Sequence, residues 1–216
     1  MHKIVTENAS IKIKNKYILK DINLEFENGK IYGFYGRNGS GKTVFMKSII
    51  GLMKLTEGRV ICDGKIIGKD MDFLPDAGIL IEEPSFYRQL SAVTNLKMVA
   101  GIQKKITKSE IEEAIRAVGL DPDDSKKVSK YSLGMLKRLG IAQAIMEDPE
   151  ILILDEATSA LDEEGVNWFR NFMLEQKEKN KLVIISSHIK EDIEMLCDEV
   201  ISLEHGKVTS VKNFVV

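Results

Sequence analysis

Between Ile4 and Phe26 apolar and polar positions alternate in short runs, most clearly in Ile11-Lys12-Ile13-Lys14, with turn residues at Asn15 and at Asn28-Gly29. A period of two puts successive side chains on opposite faces of a strand, so this stretch predicts an antiparallel sheet. The run from Ile31 to Tyr35 is a compact apolar strand. A glycine-rich turn follows it, then a helix from Thr43 to about Ile50 that Gly51 closes. Arg59 to Cys62, the turn at Asp63-Gly64 and Lys65 to Ile67 predict a hairpin returning to the first sheet.

From about Pro84 to Tyr131 the period changes to that of helices. One spans Ala92 to Ala100; a second opens at Thr107-Lys108-Ser109-Glu110, a capping-box sequence, carries Ile111, Ile115 and Val118 at helical spacing, and ends at Gly119. Beyond Ser132 helices and apolar strands alternate: a helix to about Glu147, strand Ile151 to Leu154, a helix from about Asp162, strand Leu182 to Ser186, and a helix from Ile189. Apolar strands between helices imply a mainly parallel sheet covered on both faces. The expected class is therefore α/β. A single domain over residues 1–216 is expected, with an antiparallel β part at about 1–30 and 57–70, a helical part at about 84–131, and a core formed by the remainder.

At 216 residues the chain can bury a core without staples. Its two cysteines, Cys62 and Cys197, lie far apart and lack metal-ligand spacing, so they read as reduced residues of a cytosolic protein. No run approaches the roughly 20 apolar residues of a membrane span, and the N-terminus has no apolar signal core, which predicts a soluble chain. With 31 basic and 33 acidic residues, the net charge of -2 gives no field for nucleic acid, so no nucleic-acid partner is expected. Lysines at 12, 14, 16 and 20 alternate along an edge strand, as a solvated face that blocks further pairing would. No added regulatory domain is expected in the short tail after Lys207.

Against this background one segment carries chemistry of its own. Gly36-Arg37-Asn38-Gly39-Ser40-Gly41-Lys42-Thr43 fits the phosphate-loop pattern G-x-x-x-x-G-K-[ST], between a predicted strand and a predicted helix as the mechanism requires. Glycines let backbone N–H groups and the positive helix end face phosphate oxygens. Lys42 supplies a fixed cation, and the Thr43 hydroxyl can ligate Mg²⁺. The reading is nucleotide binding at this loop.

Ile151-Leu152-Ile153-Leu154-Asp155-Glu156 is an apolar strand ending in two carboxylates, at the sheet edge where ligands of open parallel sheets bind. Alone, such a pair is an ordinary solvated loop. Beside a phosphate loop, Asp155 suits the Mg²⁺ shell and Glu156 suits polarisation of an attacking water. Leu182 to His188 repeats the geometry and puts His188 at another end of the same sheet, within reach of a γ-phosphate. His2, and His205 in its His-Gly turn, carry no such context.

Tyr131-Ser132-Leu133-Gly134-Met135 precedes a helix, with Ser132 as its N-cap; a hydroxyl and free N–H groups at a helix start form an anion site. With these motifs in order along nearly the whole chain, the sequence resembles the nucleotide-binding domain of ABC transporters. In that family the signature loop, usually Leu-Ser-Gly-Gly-Gln, corresponds to Tyr131 to Met135 and contacts the γ-phosphate held by the opposite subunit. Ser132 and Gly134 keep the contacting positions, while Leu133 and Met135 replace Gly and Gln. Ser159-Ala160-Leu161-Asp162 resembles the loop that crosses the dimer interface, and His188 the switch histidine.

The resemblance implies ATP and Mg²⁺ as ligands, ATP hydrolysis, a second nucleotide-binding subunit, transmembrane permease subunits as partners, and a place on the inner face of the cell membrane. It puts Ile13, with Tyr17 nearby, where the family stacks adenine on an aromatic ring, and Glu82 of Ile81-Glu82-Glu83-Pro84 where it has a metal-binding glutamine. Glu-Glu-Pro together with Tyr-Ser-Leu-Gly-Met resembles the exporters of peptide antibiotics and lantibiotics. The competing expectation is a soluble ATPase of the same type acting on nucleic acid or ribosomes, although coiled-coil insertions, paired domains and basic patches are missing from the sequence.

Overall fold

The computed structural model describes residues 2–214, with only the backbone of Asp192; Met1, Val215 and Val216 of the expected domain lie outside these. Two long strands, β1 (Lys3–Ile13) and β2 (Lys16–Glu27), form the expected hairpin, and β4 (Glu57–Cys62) pairs antiparallel with β1 before turning into β5 (Lys65–Ile66). The order β2-β1-β4-β5 makes one sheet.

A second sheet has six strands in the order β10-β9-β3-β8-β7-β6, where β3 is Lys30–Tyr35, β6 Ala77–Leu80, β7 Ile151–Leu154, β8 Leu182–Ser187, β9 Glu199–Glu204 and β10 Lys207–Asn213. All its neighbours run parallel except the β9–β10 hairpin at one edge. Strands β6, β9 and β10 were not among the expected elements. The short β6 holds a glycine, and β10 alternates valines with polar residues on a mostly exposed edge.

Side-chain parity along the parallel strands divides the interior in two. Tyr32, Phe34, Ile151, Ile153, Leu182 and Ile184 face helix α1 (Lys42–Ile50) and the antiparallel sheet. There Phe26, Phe34 and Phe45 cluster, with the Phe34 and Phe45 rings 5.0 Å apart. Ile31, Leu152, Leu154, Val183 and Ile185 point to the other face, against α2 (Ala92–Gln103), α3 (Lys108–Ala117), α4 (Leu133–Ile145) and α5 (Glu163–Glu178). Each fully buried Phe, Ile or Leu stabilises these layers by about 1.5–3 kcal/mol.

Local signals set the helix ends. Thr107 and Glu110 form the capping box of α3, Ser132 caps α4 by accepting the Met135 N–H, and Asp162 caps α5 through the Gly165 N–H. The final helix, α6, is only Lys190–Glu194. At the end of α3, Arg138 of α4 donates to the Val118 carbonyl and the Trp168 indole of α5 donates to that of Ala117, with the guanidinium 5.2 Å from the Trp168 ring centre. These bonds occupy carbonyls that a helix leaves open and tie the helical insert to the sheet layer.

Candidate functional site

Strand register brings the chemistry to one edge. Phe34 and Tyr35 lie opposite Ser186 and Ser187, and Leu154 lies opposite Ile185, so the residues that follow β3, β7 and β8 emerge side by side. After β3 the loop turns back tightly. A side chain at Gly36 would meet the Leu203 carbonyl oxygen at 2.4 Å and Ser40 Oγ at 2.6 Å. Gly41, at φ 112°, holds a conformation that only glycine adopts easily and leads into α1.

Within this cradle Lys42 is almost wholly buried. Its ammonium donates to the Gly36 carbonyl at 2.6 Å and lies 3.3 Å from Glu156 Oε1. Among the described residues Ser40 Oγ is buried with no hydrogen-bond partner, and Glu156 Oε1 has only the ion-pair neighbour. An unsatisfied buried hydroxyl costs about 1–3 kcal/mol, so a hydroxyl and an ammonium facing a loop of N–H groups fit an anionic ligand such as the phosphates of ATP.

The carboxylates form one continuous network beside the cradle. Thr43 Oγ1 donates to Asp155 Oδ2 at 2.6 Å, and Ser186 Oγ donates to the other Asp155 oxygen. Ser186 Oγ also accepts the Glu156 N–H at 2.9 Å, while His188 Nδ1 lies 2.8 Å from Glu156 Oε2. Glu156 adopts φ 49°, a left-handed conformation that costs a non-glycine residue on the order of 1 kcal/mol and that the Ser186 bond helps to hold. A hydroxyl and a carboxylate joined in this way are hard oxygen donors suited to Mg²⁺.

Residues 19–159 match the family described as ABC transporter. The ABC transporter ATP-binding protein YybJ of Bacillus subtilis (strain 168) is 44% identical over 201 residues, covering 93% of this chain and 92% of that protein. The chain belongs to the ABC transporter family. The bacitracin transport ATP-binding protein BcrA of Enterococcus faecalis is 39% identical over 212 residues, covering 97% of this chain and 69% of that protein. The dimeric structure of MJ0796, a bacterial ABC transporter cassette, shares the fold, with a TM-score of 0.87 at 22% identity over 99% of both chains.

As an ATP-binding subunit of an ABC transporter, the protein binds ATP with Mg²⁺, hydrolyses it, and works with membrane permease subunits. Among the described residues no helix is long and apolar enough to cross a membrane.

The remaining family positions stand apart from the phosphate loop. Ser132 and Gly134 find their neighbours on their own helix and at Ala160, whose carbonyl oxygen would lie 3.0 Å from a side chain at Gly134. Ile13, 49% exposed, pairs with Lys16 across the β1–β2 turn. The Tyr17 hydroxyl donates to Glu57, and the ammonium groups of Lys12 and Lys20 lie 5.2 Å from the ring centre. This hairpin is nonetheless close to the cradle, since the Ile18 carbonyl oxygen approaches Gly41.

Glu82 follows β6 beside Asp155, whose N–H bonds to Leu80, but its carboxylate turns to Lys47 of α1 at 2.6 Å. Arg37, Asn38, Gly39 and Ser40 border an open cleft of about 640 Å³ that reaches Ser202, Glu204 and Thr209. Ser186 and Lys47 were missed in the sequence. The Ser-Ser-His run that carried His188 marked the place, but nothing local told Ser186 from a strand filler. Both cysteines are buried and free, and burial pushes the Cys62 thiol up to about 12 and raises that of Cys197 too. His2 pairs with Asp63.

Proposed function

We propose that this subunit pairs head to tail with a second nucleotide-binding subunit, an identical copy or a paralogue, over two ATP molecules. Each site joins Lys42, Thr43, Asp155, Glu156 and His188 of one chain to Ser132 and Gly134 of the other. The observation that carries this reading is the unbroken chain of contacts from Thr43 through Asp155, Ser186 and Glu156 to His188. It sets metal-binding and base groups against the cradle, while Ser132 accepts from its own helix and Gly134 packs by Ala160.

The loop N–H groups of residues 36–43 and the Lys42 ammonium receive the β- and γ-phosphates, so Lys42 exchanges Glu156 for phosphate oxygen. Glu156, freed of that cation, orients the attacking water and takes its proton, while His188 holds the Glu156 carboxylate by its second oxygen. Thr43 and Asp155 would hold Mg²⁺, with Glu82, which pairs with Lys47, as a further candidate ligand; the ion would supply charge that offsets the triphosphate. Most of the catalysis is then positioning and charge stabilisation. Loss of the γ-phosphate removes the shared ligand and lets the halves part.

The helical part at about 84–131 and the Glu82 segment carry this motion to the permease. A groove of about 550 Å³ between residues 73–79, α2 and α4, bordered by the exposed Phe73 and Ile102 and by Gln103, Lys105 and Glu147, offers a mixed apolar and polar surface to that partner. The chain then sits peripherally on the inner face of the cell membrane. The likeness to BcrA and the Glu82-Glu83-Pro84 and Tyr131–Met135 sequences favour export of a peptide antibiotic.

Size-exclusion chromatography of Glu156→Gln with ATP and Mg²⁺ tests the pairing. A stable dimer that forms only with ATP supports it, and a variant that stays monomeric and hydrolyses ATP at the parent rate refutes it.

A further inference from the structure

Pairing within the antiparallel sheet gathers three side chains that take no part in the nucleotide site. Ile4 of β1 lies opposite Cys62 of β4, and His2, two residues before Ile4, falls on the same side of the sheet. After Cys62 the chain reverses through Asp63 at φ 51° and Gly64 at φ 79°, which brings the Asp63 carboxylate back over the start of β1. His2 Nδ1, Cys62 Sγ and an Asp63 carboxylate oxygen all lie within 4.8 Å of one another. Among the described residues no other three donors from His, Cys, Asp and Glu come this close together.

The donors are held from behind. The His2 backbone N–H donates to Asn28 Oδ1 at 2.7 Å, and the Lys3 N–H donates to Asp63 Oδ1 at 2.8 Å, so the other carboxylate oxygen meets His2 Nδ1 at 2.6 Å. Outer bonds of this kind orient the ligands of metal sites. The thiol end is sealed, with Cys62 fully buried, while the His2 and Asp63 side chains are 20% and 39% exposed and open the other end to solvent. A surface His–Asp pair alone needs no thiol beside it.

Sulfur, imidazole nitrogen and carboxylate oxygen together suit a borderline-soft divalent ion such as Zn²⁺, whereas Mg²⁺ takes oxygen. Around an ion about 2.0–2.3 Å from each donor, neighbouring donors stand about 3.3–3.6 Å apart. The His2–Asp63 contact has to open by less than about 1 Å, which two partly exposed side chains allow.

We propose that His2, Cys62 and Asp63 form a site for one Zn²⁺ ion, with a fourth position open to water, and that the ion pins the start of β1 to the β4–β5 turn. On binding, the Cys62 thiol gives its proton to solvent, and His2 and Asp63 exchange their mutual hydrogen bond for the metal. Spacing along the chain does not show the site, because sixty-one positions separate His2 from Asp63. The proposal is independent of the pairing of two subunits.

The test titrates Co²⁺, a spectroscopic stand-in for Zn²⁺, into the reduced, nucleotide-free full-length chain after chelator treatment. A thiolate-to-Co²⁺ charge-transfer band is expected that saturates at one ion per chain, disappears on adding Zn²⁺ and is unmoved by excess Mg²⁺. Zn²⁺ at about a hundredfold excess over its dissociation constant should raise the melting temperature by about 5–10 °C. His2→Ala and Asp63→Ala should each weaken Co²⁺ binding at least about tenfold. Cys62→Ser should lose the band and Cys197→Ser should keep it. The proposal is overturned by no band up to about 1 mM Co²⁺, a band that survives in Cys62→Ser, parent affinity in either His2→Ala or Asp63→Ala, or a melting temperature that Zn²⁺ leaves unchanged. The His2 and Asp63 variants lie at the open end and decide the matter even where Cys62→Ser fails to fold.

Discussion

The Lys42 ammonium lies 3.3 Å from Glu156 Oε1, so the cation of the phosphate loop and the carboxylate assigned to activate water neutralise one another across the site. Phosphate binding must separate them. Glu156→Gln is expected to lower the hydrolysis rate by about 10²–10⁴-fold while ATP affinity is kept or tightened, because Lys42 loses its competing partner. Lys42→Ala should abolish binding of a fluorescent ATP analogue. Micromolar affinity retained in Lys42→Ala would contradict the cradle.

Ser186 serves two masters, donating to Asp155 and accepting from the Glu156 N–H. Ser186→Ala leaves both without that partner in a buried setting. A loss of about 1–3 kcal/mol is expected, lowering the melting temperature by several degrees, together with a fall in kcat. A variant with parent melting temperature and parent kcat would show that Ser186 holds neither group.

Much of this was legible in the sequence, for a physical reason. The phosphate loop, the capping box at Thr107 and Glu110, and the N-cap Ser132 are local patterns whose residues act on backbone within a few positions. What depends on register between strands was not legible. Ser186 matters because parallel pairing of β7 with β8 sets it next to Asp155, thirty-one positions away in sequence. The Ala77–Leu80 strand is too short to show a period, and β9 begins and ends on glutamates. Lys137 of α4 is buried and even reverses the expected pattern, since a lysine on a helix is ordinarily read as solvent-facing.

The pair of Glu82 with Lys47 is largely exposed, and such pairs contribute about 0.2–1 kcal/mol. Glu82→Gln should therefore leave the melting temperature within about one or two degrees of the parent and keep nucleotide binding. Transport by the complex with its permease should change relative to ATP turnover. Equal transport per ATP hydrolysed would remove any special role for that carboxylate.

Burial pushes the Cys62 thiol up to about 12 and raises Cys197 as well, so at pH 8 both stay protonated in the folded chain. The thiolate fraction at Cys62 is then on the order of a thousandfold below that of an unfolded cysteine. Alkylation by iodoacetamide followed by mass spectrometry should label neither cysteine in the native protein and both in denaturant. Rapid native labelling of Cys62 would contradict this burial.

In the proposed pairing one cleavage site is built from two chains. Specific ATPase activity measured over a dilution series reads this out: turnover per chain is expected to fall as the concentration drops below that needed for pairing. Turnover per chain that stays constant to the lowest concentration would contradict it.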